Sequence, residues 1–308
     1  MAVNIPAKDV MELRKKTGCG MMECKKALVE TEGNFDEAIK YLREKGLSVA
    51  AKKADRIAAE GVVDVLTENG VTAIIEVNAE TDFVAKNASF KEFVKGILKT
   101  IVANKPADIE ALKALPYNGT EVTVEAELKN MIFTIGENMS IRRFEIIDGI
   151  TGTYIHGGGS AGVVTRFETD LDPASAGFVE YAKNVCMQIA AMSPSYLDRD
   201  HVPASVLENE KEILLTQIKN DENLSKKPDA VKEKMVNGRI SKFYDNNCLV
   251  DQAYVKDEDL TVGQYTEKTA KELGGSIKIT YFVKYERGEG IEKREDDFAA
   301  EINKLVNG

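Results

Sequence analysis

The feature that most constrains the fold is an internal repeat. The stretches GVVDVLTENGVTAIIEVNAETDF and GTYIHGGGSAGVVTRFETDLD each read as strand, turn, strand, and each ends in Glu-Thr-Asp followed by an apolar residue. The first turn carries an Asn-Gly pair and the second a run of glycines, the residues that tight antiparallel hairpins need. An amphipathic helix follows each hairpin. In SFKEFVKGILKTIVA, Phe90, Phe93, Val94, Ile97, Leu98 and Ile101 recur at steps of three and four, and Ser89 with Glu92 has capping-box spacing. In FVEYAKNVCMQIAAM, Phe178, Tyr181, Val185 and Ile189 share a face. Each copy then gains a later strand, SIRRFEII in the first and SIKITYFVKYE in the second. A duplicated hairpin, helix and strand predict an α+β fold with two related antiparallel-sheet subdomains.

Ahead of the repeat, residues 1–57 read as three short helices that stop at Gly18, Gly33 and Gly46. Val10, Met11 and Leu13 fall on the apolar side of the first, and Met21, Met22, Cys24, Ala27 and Leu28 on that of the second. Asn34 caps the third, with Glu37 at capping-box spacing, and Ala38, Ile39, Tyr41 and Leu42 supply its apolar side. A polar connector, AAKKADRIAAEG, leads into the body. Inside the second copy, ASVLENEKEILLTQIKN and PDAVKEKMVNGRISKFYDN predict an antiparallel helical hairpin, with Val206, Ile213, Leu214 and Ile218 on the apolar seam of one helix and Val231, Met235, Ile240 and Phe243 on that of the other; too thin to hide both seams, it is expected to dock on something. The chain closes on a last amphipathic helix, EGIEKREDDFAAEINKLV. The expected domains are 1–57, a helical head; 58–150, the first core subdomain; 151–199 with 247–287, the second; 200–246, the hairpin; and 288–308, a C-terminal module.

Composition narrows the function classes. A net charge of −10 argues against direct nucleic-acid binding, which needs clustered Lys and Arg. Residues 1–57 carry 12 Lys+Arg against 9 Asp+Glu, so a mildly basic head sits on an acidic body, as suits an oriented protein partner or simply solvated helix faces. No apolar run reaches the roughly 20 residues of a membrane span, and the N-terminus lacks the pattern of a signal peptide. Cys19, Cys24, Cys186 and Cys248 have no C-x-x-C spacing and suit reduced thiols in a cytoplasmic protein. Catalytic signatures fail: there are two histidines, no H-E-x-x-H, no G-x-x-x-x-G-K-[ST] and no G-x-S-x-G. The HGGGSAG stretch joins two strands, so a hairpin turn is favoured over a phosphate loop. No cofactor, metal site or catalytic centre is expected.

Phe83 leaves two readings open. The preceding strand places Val71, Ala73, Ile75, Val77 and Ala79 on one face, and Phe83 has the same parity. An unbroken strand would send the ring into the core. But Glu-Thr-Asp is weak strand material, and Lys86 and Asn87 begin a new element, which would leave the ring exposed as a plug for a partner.

The stretches TGCGMMECKKAL, TDFVAKN, IGENMSIRR, the His156-Gly157 turn, EKMVNGR and GEGIEK together closely resemble the bacterial elongation factor Ts family, over nearly the whole chain and in the family's order. The resemblance implies a guanine nucleotide exchange factor for elongation factor Tu, in its GDP-bound and nucleotide-free states. It implies a ubiquitin-associated-like head, a two-part core, a coiled-coil hairpin that forms a homodimer or a 2:2 complex, and a C-terminal module. By motif it assigns Asp82 and Phe83 as the pair that intrudes into the partner, flanked by Thr81 and Val84. Lys25, Ile135 and His156 match further contacts, although the Ile-His-Gly-Gly-Gly context leaves a hairpin-turn histidine without a role equally open. An adaptor built on the head, or an enzyme using His156 and the Gly-rich turn, are the rival classes.

Overall fold

The computed structural model describes residues 5–292. The head forms α1 (Ala7–Thr17), α2 (Met21–Glu30) and α3 (Phe35–Lys53). Asn34 Oδ1 accepts from the Asp36 and Glu37 amides at 3.1 and 3.2 Å, capping α3 as its sequence predicts. Val10, Leu13, Cys24, Ala27, Leu28, Ala38 and Leu42 make the core of this bundle. Met11, Met21 and Met22 do not join it; they are exposed. Gly46 does not stop α3 either. It is buried inside the helix, where an added Cβ would meet Cβ of Phe133 at 3.5 Å, an ordinary packing distance. Helix α3 therefore runs into the start of the expected connector, as far as Lys53.

In the first copy, β1 (Glu60–Glu68) and β2 (Val71–Ala79) pair antiparallel across Asn69-Gly70, with φ of 52° and 75°. Both residues sit in the left-handed region that a type I′ turn demands. A short α4 (Asp82–Lys86), then α5 (Ala88–Asn104), α6 (Ile109–Ala114) and α7 (Val124–Ile135), lead to β3 (Met139–Asp148), which completes the sheet β1-β2-β3. The cap of α5 is Asn87, whose Oδ1 accepts from the Ser89 amide at 2.8 Å, two residues ahead of the Ser89 box read from sequence. All six apolar residues predicted for α5 are buried, each contributing about 1.5–3 kcal/mol relative to exposure.

The second copy repeats this plan. β4 (Ile150–His156), β5 (Ala161–Thr169) and α8 (Ala176–Met192) are followed by α9 (Ala204–Asn220), α10 (Asp229–Asn247), β6 (Ala253–Tyr254), β7 (Asp257–Thr261), α11 (Val262–Leu273) and β8 (Ile277–Glu286). The sheet order is β4-β5-β8. The match extends to detail: α5 and α8 each have 17 residues, and α7 and α11 each have 12, with threonine caps at Thr123 and Thr261 and left-handed glycines at Gly136 and Gly274. This is the α+β architecture the repeat predicts.

Each sheet carries its long helix on one face, α5 on the first and α8 on the second. The other faces pack together. Val63, Ile74 and Ile147 of the first sheet meet Val164 and Tyr285 of the second in a shared core. Thr72 and Thr151 hydroxyls join across it at 2.6 Å, and the Val63 amide donates to the Gly159 carbonyl at 2.8 Å. Gly159 must be glycine here, because its φ is 107° and a Cβ would come within 3.1 Å of Val62. The HGGGSAG stretch is thus a hairpin turn that docks the second sheet on β1.

Helices α9 and α10 form the predicted hairpin, but its seam is Leu214, Ile218, Val236 and Ile240. Ile213 and Val231, assigned to the seam from sequence, are exposed instead, and Val236 takes a place there. The last helix, expected over 289–306, falls largely outside the described residues. No helix among the described residues is long and apolar enough to cross a membrane.

Candidate functional site

Strand β2 ends at Ala79, and Thr81 caps α4: its Oγ1 accepts from the Val84 amide at 3.4 Å. One turn of helix then rotates successive residues by about 100°. Val84 and Ala85 face inward into the core beside α5, and Phe83 points out, 80% exposed. Of the two readings of Phe83, the exposed ring is the one the structure adopts. Parity failed because the strand ends before it. An exposed phenylalanine on an anchored helical turn forgoes about 1.5–3 kcal/mol of burial.

The mount is braced from a second loop. Glu137 Oε1 and Oε2 accept from the Thr81 hydroxyl at 2.7 Å and the Thr81 amide at 3.0 Å. Glu80 Oε1 accepts from the Asn138 amide at 2.5 Å, and Asn138 Nδ2 donates to the Arg56 carbonyl at 2.7 Å. Lys53, in the last turn of α3, donates to the Gly136 carbonyl. The end of the head helix, the loop after α7 and the Phe83 turn therefore form one hydrogen-bonded unit. Ile135, the last residue of α7, is half-buried against the same core.

Asp82 is half-exposed beside Phe83 and pairs with Lys86 at 2.6 Å. The Lys86 ammonium holds the Asp82 carboxyl below the usual carboxylate range, with the positive charge of Arg287 adding to this. Asp82 is an anion at neutral pH, next to an apolar ring.

His156 closes β4 and is exposed, with its Nδ1 3.2 Å from the Tyr154 hydroxyl. Its carbonyl accepts from the Gly159 and Ser160 amides at 3.0 Å each, so the turn is a closed hairpin and not the mouth of a helix. Ser160 then accepts from the Arg287 amide at 2.9 Å, and Arg287 pairs with Glu60 at 2.9 Å. Arg287 thus links the His156 turn to the side of the molecule where its charge reaches Asp82. Lys25 is exposed on α2, next to Met21 and Met22. Thr81, Asp82, Phe83, Val84 and Ile135 are brought together; Lys25 and His156 lie on other elements.

Sequence reasoning passes over three residues. Glu137 and Arg287 sit in short loops with no periodicity to flag them. Glu76 could have been found, since an acid within VTAIIEVNA interrupts an apolar strand. It is fully buried and accepts from Arg143 Nε at 2.7 Å, Arg142 Nη1 at 3.0 Å, Asn78 Nδ2 at 3.1 Å and the Gly288 amide at 2.7 Å. Among the described residues, no group of three or more His, Cys, Asp or Glu could hold a metal ion.

Comparison with known proteins places this sequence in a family. The sequence profile described as "Elongation factor TS" matches residues 80–289. Elongation factor Ts of Syntrophotalea carbinolica is 50% identical over 99% of this chain and 100% of its own length. Elongation factor Ts of Clostridium kluyveri and that of Magnetococcus marinus are each 46% identical over 99% of both chains. The chain belongs to the elongation factor Ts family of translation elongation factors.

Proposed function

We propose that this protein is a guanine nucleotide exchange factor that binds elongation factor Tu and speeds release of its GDP. The observation that carries the reading is Phe83, a large apolar ring held 80% exposed on a braced helical turn beside the anionic Asp82. A GTPase holds GDP through backbone donors, a lysine and a magnesium ion. Faster release needs no bond chemistry in the exchange factor. It needs a ligand that binds the nucleotide-free shape better than the loaded one. Phe83 enters an apolar pocket near the magnesium site, Asp82 bears on the same region, and Lys25, Ile135 and His156 supply further contact. Linkage is reciprocal, so GDP weakens the grip of the factor by the same ratio.

The test is to mix the protein with elongation factor Tu loaded with fluorescent GDP and to time release. A rate at least tenfold above the spontaneous one is expected, and an unchanged rate would reject the exchange role in favour of an adaptor. We assign the α9–α10 hairpin to pairing of two copies, as a homodimer or in a 2:2 complex. Ile213, Leu215 and Val231 lie exposed on it, 40–44% accessible, and would be covered by a second copy. Removal of residues 204–246 is expected to halve the mass in light scattering, and an unchanged mass would remove that role.

A further inference from the structure

The two sheets share one ladder. β2 begins with Val71 opposite Asp148, β5 begins with Ala161 opposite Glu286, and each ladder shifts register once, after Glu76 and after Arg166. The residue after the last strand makes the same bond in both copies. The Gly149 amide donates to the Gly70 carbonyl at 3.0 Å, and the Arg287 amide donates to the Ser160 carbonyl at 2.9 Å. Each bond ties the end of a sheet to its own hairpin turn. The side chains differ. Gly149 has none and leads directly into β4, whereas Arg287 reaches across to the first copy.

The Arg287 guanidinium pairs with Glu60 at 2.9 Å and donates to the Gly61 carbonyl at 3.4 Å, and both side chains of the pair are largely buried. The backbone that presents it is pinned. Beyond the bond to Ser160, the next amide, Gly288, donates to the buried Glu76 at 2.7 Å. Gly288 has a φ of 69°, and a Cβ there would come within 2.2 Å of the Ala59 carbonyl, so the chain lies hard against the start of β1. Two contact arms meet at this point. Glu60 lies opposite Ala79, where β2 gives way to the Phe83 turn. Ser160 closes the hairpin that opens at His156, and the Val63 amide holds its Gly159 carbonyl at 2.8 Å. The start of β1, the His156 turn and Arg287 therefore form a closed hydrogen-bonded ring. The apolar core between the sheets is non-directional, whereas a planar guanidinium on two fixed acceptors sets direction as well as distance.

We infer that Arg287 is a positioning residue for exchange: it holds the Phe83 turn of the first copy and the His156 turn of the second at one fixed spacing, so that both reach the partner together. The inference rests on the exchange reading for its functional consequence but not for its structural one. Two contacts on one rigid frame bind as a unit, and a loosened frame forfeits the advantage of the second.

Arg287→Ala is expected to slow stimulated GDP release about fivefold, the order of one ion pair with its hydrogen bond. Arg287→Lys keeps the charge and the Glu60 pair and should stay within about twofold of the unmodified protein. The same alanine change is then made in a His156→Ala background, which has no second arm to space, and should cost less than about twofold there. Equal losses in the two backgrounds would overturn the inference. A general loss of folded protein, or an action of the Arg287 charge on Asp82, would persist without His156. Spin labels give an independent reading. Nitroxides go selectively to Phe83→Cys and His156→Cys, because the four native cysteines are buried. The distribution of distances between them is expected to be about twofold broader with Arg287→Ala and unchanged with Arg287→Lys. An unchanged width with Arg287→Ala would refute the spacing role. If the unmodified protein failed to stimulate release, the exchange reading would fall, while these widths would still decide the role of Arg287.

Discussion

Replacing Phe83 with alanine is expected to lower stimulated GDP release by one to two orders of magnitude while leaving the fold intact. The side chain is 80% exposed, so its removal opens no cavity in the free protein. Its neighbours Val84 and Ala85 keep the turn anchored. What is lost is burial of one ring in the complex, about 1.5–3 kcal/mol, and each 1.4 kcal/mol of differential binding is about tenfold in rate or affinity. Under the proposed mechanism the loss should fall on the nucleotide-free complex more than on the GDP-bound one. Stopped-flow release of labelled GDP reads the rate, and a thermal melt superimposable on that of the unmodified protein checks the fold. Release at the unmodified rate would remove Phe83 from the mechanism.

Glu76→Ala is expected to have the largest effect on stability, a loss of about 3 kcal/mol read as a lower urea midpoint. Its carboxylate is the meeting point of β2, both arginines of β3 and the turn after β8. Alanine leaves the Gly288 amide without its acceptor. The Arg142 and Arg143 head groups are partly exposed, and water will recover some of their loss. The site also sets a pH dependence. Burial by itself would raise the Glu76 pKa, but the Gly288 amide, Arg142, Asn78 and Arg143 outweigh it and hold the carboxyl below its ordinary value of 4.5. A depressed pKa means the stabilisation is fully present above pH 4.5 and is lost as pH falls through the lower folded value. Glu76→Gln, which cannot titrate, should be less stable at neutral pH and should lose less between pH 5 and 3. Parallel acid titrations of the two proteins, with equal slopes, would refute this account.

How far the chain could be read in advance depended on where the controlling interactions lie. Helix α5 was legible residue by residue, because a 3.6-residue period against one sheet face is a local pattern. The Asn69-Gly70 turn was legible because only left-handed backbone fits there. Gly46 was misread for the opposite reason. It lies mid-helix against Phe133, far along the chain, and a glycine buried within a helix looks the same in sequence as one that ends it. The hairpin seam shifted from Ile213 and Val231 to Val236 because adjacent apolar residues leave the rotation of a two-helix pair open until the partner is known.

The sequence by itself determined the repeat, the α+β class, the hairpins and their helices, and the family, all carried by local period or by contiguous motifs. Only the tertiary structure decided that both faces of β2 are buried, since a second sheet covers Ile74 and Glu76. It also decided that Phe83 points outward. Strand β2 stops at Ala79 and Thr81 caps the next turn, held by Glu137 of the loop after α7, as the matching loop of the second copy holds Asp170 through the Ser276 amide. That loop lies 56 residues from Thr81 in the first copy and 106 from Asp170 in the second. No local pattern spans such a separation; the fold alone brings the two ends together.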